Sequence, residues 1–88
     1  MKSKLPLDSK AKFLSKLGKL IKTLRHLKTM SQEDVSKSSG IHRTYISAIE
    51  QGNKNITLVS MLKIARSLDT SPGEILDSSI KGTEYERS

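Results

Sequence analysis

Two short helical patterns separated by a single glycine fill the stretch from Gln32 to Gly52, QEDVSKSSGIHRTYISAIEQG, and leave the chain few ways to fold. Ser31 is placed to cap the first helix, and Asp34 can return a hydrogen bond to that cap, a variant of the Ser-x-x-Glu box. Val35 faces inward. Ser36 is small enough to let two steeply crossed helices, joined by only a few residues, bring their backbones together. Gly40 ends the first helix, because so abrupt a turn needs a left-handed residue, which costs other residue types roughly 1 kcal/mol or more. Ile41 plugs the corner, and Ile46 and Ile49 follow at helical spacing to close a small core on Val35. Arg43, Thr44, Tyr45, Ser47 and Ala48 are left on the other faces, a compact polar surface suited to a groove.

The flanking sequence supplies the remaining helices. From Ser9 to Lys28, Phe13, Leu17, Leu20, Leu24 and Leu27 recur at steps of three and four, with Leu14 and Ile21 widening the stripe and lysines opposite. Gly18 inside this helix costs up to about 1 kcal/mol relative to alanine, so a helix beginning near Leu17 competes with the longer one, which is preferred here. Thr57 caps a further helix reaching Leu68, whose Leu58, Met61, Leu62, Ile64, Ala65 and Leu68 exceed one narrow stripe and leave some apolar surface for a partner. Ser71, Pro72 and Glu74 open a short last helix as cap, first residue and third residue. Its Ile75 and Leu76, with Ile80, are either the last pieces of core or half of a two-fold interface. The expected fold is therefore all-α with five helices: a flexible basic leader over 1–8, one domain over 9–80, and a frayed polar tail over 81–88.

Charge narrows the partners. Of the net +7, residues 1–28 carry nine Lys or Arg against Asp8 alone, so the rest of the chain stands near −1. Long-range attraction to an anion then belongs to the first helix and its leader. A cationic amphipathic helix can also lie on an anionic membrane. Here the helices that follow need its apolar side as their core, and that reading is preferred. No apolar run is long enough to span a bilayer. With no cysteine there is no disulfide framework or thiolate zinc site, which suits a reducing cytoplasm. His42 and His26 stand apart without a paired acidic motif, so no metal is expected, and no cofactor either. Ser, His and Asp occur without a nucleophile elbow or phosphate loop, so no enzyme chemistry is expected.

The central stretch resembles the lambda-repressor-like helix-turn-helix domains: Gln32, Glu33, Val35, Gly40, Ile41, Ile46, Ile49 and Glu50 fall at that family's characteristic places. Ser36 departs from the usual alanine while keeping its size. Within the family, HRTYISAIEQGNKNITL from His42 to Leu58 looks like the controller proteins of restriction–modification systems, short dimers with a similar Arg-Thr-Tyr-Ile-Ser segment.

The resemblance implies double-stranded DNA as partner and a homodimer on a pseudo-palindromic operator, with Ile75, Leu76 and Ile80 at the dimer interface. Arg43 is the foremost base reader, since its planar fork matches the O6 and N7 acceptors of guanine, with a phosphate contact as the plainer role. Thr44 offers a hydroxyl and a methyl, and the short Ser47 lets the helix sit deep. Gln32 either caps its helix or gives its amide to a phosphate, and the resemblance favours the phosphate. Tyr45 either packs on the DNA backbone or is partly buried in the domain. Asn53, Lys54 and Asn55 offer donors beside a passing backbone, a role compatible with plain turn chemistry. Glu50 points away from DNA and bonds within the protein, since phosphates would repel it. Autoregulation of a restriction–modification operon and a contact with RNA polymerase come from the resemblance alone. The rival reading is an antitoxin-like or prophage-repressor-like protein whose main task is to bind a protein partner.

Overall fold

Helix α1 (Ser9–Leu27) takes the longer of the two expected courses in this computed structural model, which describes residues 9–87. The leader over 1–8 and Ser88 lie outside the described residues. Gly18 explains why the helix tolerates a glycine. A Cβ there would run into the carbonyl oxygens of Ile49 and Glu50, the latter at 2.7 Å, so the missing side chain lets α1 cross the end of another helix backbone to backbone. The buried line of α1 is Leu14, Leu17, Gly18, Ile21 and Arg25. It is rotated from the stripe read in the sequence: Phe13, Leu20 and Leu24 only flank the core, and Leu27 is 74% exposed in the helix's last turn.

Helix α2 (Gln32–Ser39) begins on a complete capping box, with Ser31 Oγ accepting from the Asp34 amide at 3.0 Å and Asp34 Oδ2 accepting from the Ser31 amide at 2.8 Å. Those bonds hold the Asp34 carboxyl below the usual carboxylate range, the Ser31 backbone N–H contributing most. The helix closes at Gly40, φ 77°, and only Gly40, Ile41 and His42 separate it from α3 (Arg43–Glu50). Helices α4 (Leu58–Ser67) and α5 (Pro72–Ile80) start on Thr57 and Ser71 as expected, each hydroxyl accepting an amide of its first turn.

Helix α1 lies against α5 and α3, α2 against α3 and α4, and α4 against α5. Val35, Ile46, Ile49, Ile64, Leu68 and Ile75 meet at the centre, each essentially without exposed surface. Ile75 is thus core rather than dimer interface, because α5 turns it inward between α1 and α4. Leu76 and Ile80 are only half-buried. Residues 81–87 also depart from the loose tail expected: Tyr85 meets Phe13 edge-on with ring centroids 5.7 Å apart, and buried Thr83 donates its hydroxyl to the Ile80 carbonyl. Two apolar rings anchor an otherwise polar segment on α1.

Gly18→Ala should lower the free energy of unfolding by about 1–3 kcal/mol, the usual range for overpacking, in a urea titration. Gly73→Ala in α5 is the control, since its Cβ would meet only Ser71 Oγ at 3.5 Å, and it should hold or slightly raise stability.

Candidate nucleic-acid interface

Helix α3 is clamped at both ends. His42 caps its start, Nδ1 accepting the Thr44 amide at 3.1 Å and lying 2.8 Å from Thr44 Oγ1. At the other end Gly52 takes φ 76°, and the amides of Gly52 and Asn53 donate to the carbonyls of Ile49 and Ala48 in a Schellman closure. With Ile46 and Ile49 buried, the outer surface presents Arg43 and Thr44 exposed and Ser47 and Ala48 half-buried. Ser47 Oγ accepts from Gln51 Nε2 at 3.2 Å. Arg43 Nε stands 3.4 Å from Glu33 Oε1 in the first turn of α2.

Behind this surface lies a charge cluster. Arg25 of α1 donates through Nε and Nη2 to the two carboxylate oxygens of Glu50, at 2.7 and 3.0 Å, and through Nη1 to the Met30 carbonyl at 2.8 Å. Gln32 Nε2 donates to the same carboxylate at 3.1 Å. Three helices are thereby joined at one buried carboxylate. Burial opposes the charged form of Glu50, but the bonds from Arg25 and Gln32 and the charges of Arg25 and Lys22 outweigh it, holding the carboxyl below its ordinary range. The bond to Glu50 raises Arg25 in turn, against the opposing effect of burial.

Glu50 bonds inward, as its charge dictates. Gln32 is engaged within the protein, yet a primary amide carries two N–H donors and only one is used. Tyr45 is half-buried against the core. Its ring carries Lys54 Nζ at 5.1 Å from the centroid, and its hydroxyl accepts the Thr57 amide at 3.4 Å, so one side chain supports the whole α3–α4 loop. Asn53 donates to Gln51 Oε1 at 3.3 Å. Asn53, Lys54 and Asn55 are all exposed, and Asn53 and Asn55 border a cleft with Lys10 of α1. Gln32, Arg43, Thr44 and Ser47 thus stand on α2 and α3, and Asn53, Lys54 and Asn55 on the loop that follows, whereas Ile75, Leu76 and Ile80 belong to α5. Among the described residues no group of three or more His, Cys, Asp or Glu is placed to hold a metal.

A helix-turn-helix family model matches residues 21–75. The chain belongs to that family and, within it, resembles the restriction–modification controller proteins. Control protein C.SmaI of Serratia marcescens is 35% identical over 60 residues, 68% of this chain and 71% of the relative. The crystal structure of the controller protein C.AhdI from Aeromonas hydrophila superposes with a TM-score of 0.69 at 40% identity, covering 70% of this chain and 94% of that one. The controller protein C.Esp1396I, solved as a tetramer with its natural 35-base-pair operator, superposes with a TM-score of 0.70 at 39% identity, over 78% of this chain and 91% of that one.

Two side chains here have partners that the sequence pattern alone does not assign. Arg25 lies at the i+4 step from Ile21 on the buried line of α1, a place where arginine suits a buried pair better than lysine does. Glu33, a family position by resemblance, gains its partner only from the approach of α3 to α2. On α4, Leu58 and Leu62, 69% and 47% exposed, form the surplus apolar surface expected there, and Val59, 59% exposed, adds to it.

Glu50→Gln should lower stability at neutral pH by about 3–5 kcal/mol, because Arg25 stays buried with its charge uncompensated. A depressed folded-state value means that Glu50 contributes fully above the unfolded carboxylate range and loses its contribution as pH falls through its own lower value. The gap between parent and variant in thermal unfolding should therefore narrow progressively below about pH 4.

Proposed function

We propose that this protein is a sequence-specific DNA-binding transcription regulator that works as a homodimer in the cytoplasm, placing two copies of α3 in successive major grooves about 34 Å apart. The observation that carries this reading is the exposed Arg43 and Thr44 on a helix fixed from behind by the Arg25–Glu50–Gln32 cluster. Phosphate contacts fall to the free N–H of Gln32 and to Asn53, Lys54 and Asn55, with Tyr45 as their support, and Arg43, Thr44 and Ser47 read bases. The likeness to C.Esp1396I, solved with operator DNA, supports the same role here. Autoregulation of a restriction–modification operon is the corresponding biological task, with contact to RNA polymerase as its activating half. The matched control proteins favour this regulator over a partner-masking antitoxin and over an enzyme.

For the dimer, the exposed Leu58, Val59 and Leu62 of α4 take the place of Ile75. Leu58 and half-buried Leu76 border one depression, so the apolar surface runs from α4 onto α5. An exposed apolar surface of this kind marks an association site in a water-soluble domain.

Arg43→Ala should cost about 1–3 kcal/mol on the operator and relax preference at one base pair, whereas Lys54→Ala should weaken all sequences alike and flatten the salt dependence. Binding titrations on operator and random DNA at several salt concentrations check this, and equal losses on both DNAs from Arg43→Ala would remove the base-reading role. Leu62→Glu should yield a folded monomer in sedimentation equilibrium, because a charge replaces apolar contact at the proposed seam. Ile75→Ala should instead lose about 2–5 kcal/mol of stability as a core cavity.

A further inference from the structure

An acidic side chain on a surface meant for DNA is a liability, because every phosphate that approaches repels it. Glu33 is such a residue: it stands in the first turn of α2, more than half exposed, beside Arg43 of α3. Among the described residues its carboxylate has one charged partner, Arg43, with Nε 3.4 Å from Oε1 and both side chains more than half exposed. So open a pair, at a distance beyond an ordinary hydrogen bond, contributes little to folding. Stability therefore does not account for it, and its effect must be sought in what Arg43 does.

We infer that Glu33 is a positioning residue for base reading, holding Arg43 by Nε so that its two terminal NH2 groups face the groove. This deepens the proposed function and rests on Arg43 being a base reader. The geometry has two consequences. Parallel bonds to guanine O6 and N7 need two donors of the guanidinium fork side by side, and no described residue bonds to Nη1 or Nη2 of Arg43. A long side chain with free rotamers would otherwise have to be ordered on each productive encounter. Pairing also offsets the charge of Arg43. A free guanidinium is drawn to any phosphate, whereas one with a carboxylate beside it keeps its directional donors and has part of that indiscriminate attraction offset. Guanine, a neutral acceptor pair of fixed geometry, then gains over the backbone.

The test compares the unmodified protein, Glu33→Gln, Arg43→Ala and the double variant on three duplexes: the selected operator, that operator with the Arg43-read base pair exchanged, and random DNA. The expected discrimination at that base pair in the unmodified protein is about 5- to 150-fold, the range for one bidentate contact. Glu33→Gln should reduce it by about fivefold, while binding random DNA more tightly and melting at the parent temperature. In the Arg43→Ala background the same change should no longer affect that base pair. An unchanged base-pair profile in Glu33→Gln overturns the inference while leaving the base-reading role of Arg43 intact. An effect that persists without Arg43 also overturns it, because Glu33 would then be reading cytosine N4 directly. Absence of any preferred site for the unmodified protein, or an unchanged profile in Arg43→Ala, removes the underlying reading and this inference with it.

Discussion

One buried carboxylate fixes the relation of three helices. Glu50 closes α3, Arg25 reaches it from α1, and Gln32 reaches it from the first turn of α2. A buried ion pair is seldom a net source of stability against apolar packing, because both charges lose their water. Here its bonds are directional: they set where the end of α3 stands relative to the start of α2. Gly18 permits the arrangement by letting α1 come within backbone contact of Ile49 and Glu50. A wider separation would take Arg25 out of reach.

Charge is divided between two tasks along the chain. The excess of positive charge precedes residue 29, while the central motif and everything after it are close to neutral. Lysines of α1 supply a field that acts on any polyanion, and Lys10 stands at the cleft bordered by Asn53 and Asn55. The face of α3 carries a single arginine, offset by Glu33. The long-range field and the one arginine of α3 thus come from different segments of the chain.

The apolar inventory divides in a similar way. The chain is close to the lower size limit at which one core suffices, and it still leaves three large aliphatic side chains of α4 in water. The inner line of the same helix, Met61, Ile64, Ala65 and Leu68, is buried. A second copy covering Leu58, Val59 and Leu62 would resolve that imbalance, and it would supply the two-fold axis that the proposed operator requires.

Local chemistry accounts for what the sequence determined by itself: the five helices, the capping box at Ser31 and Asp34, the turn at Gly40, the closure at Gly52, and the exposure of Arg43 and Thr44. Each follows from spacing or from one residue's conformational range within a few positions of chain. The inward bond of Glu50 was also legible, since a carboxylate facing phosphates is disfavoured. Tertiary structure alone decided the remainder. Periodicity cannot set the rotation of α1 to better than one residue when leucines lie on both flanks, so Leu27 and Arg25 exchange the places that hydropathy gives them. Ile75 and Leu58 are alike in sequence, and only the crossing of α5 over α1 and α4 makes one core and the other surface. The uses of Gly18, Arg25 and Tyr85 depend on partners far along the chain, and that proximity exists only once the helices have packed.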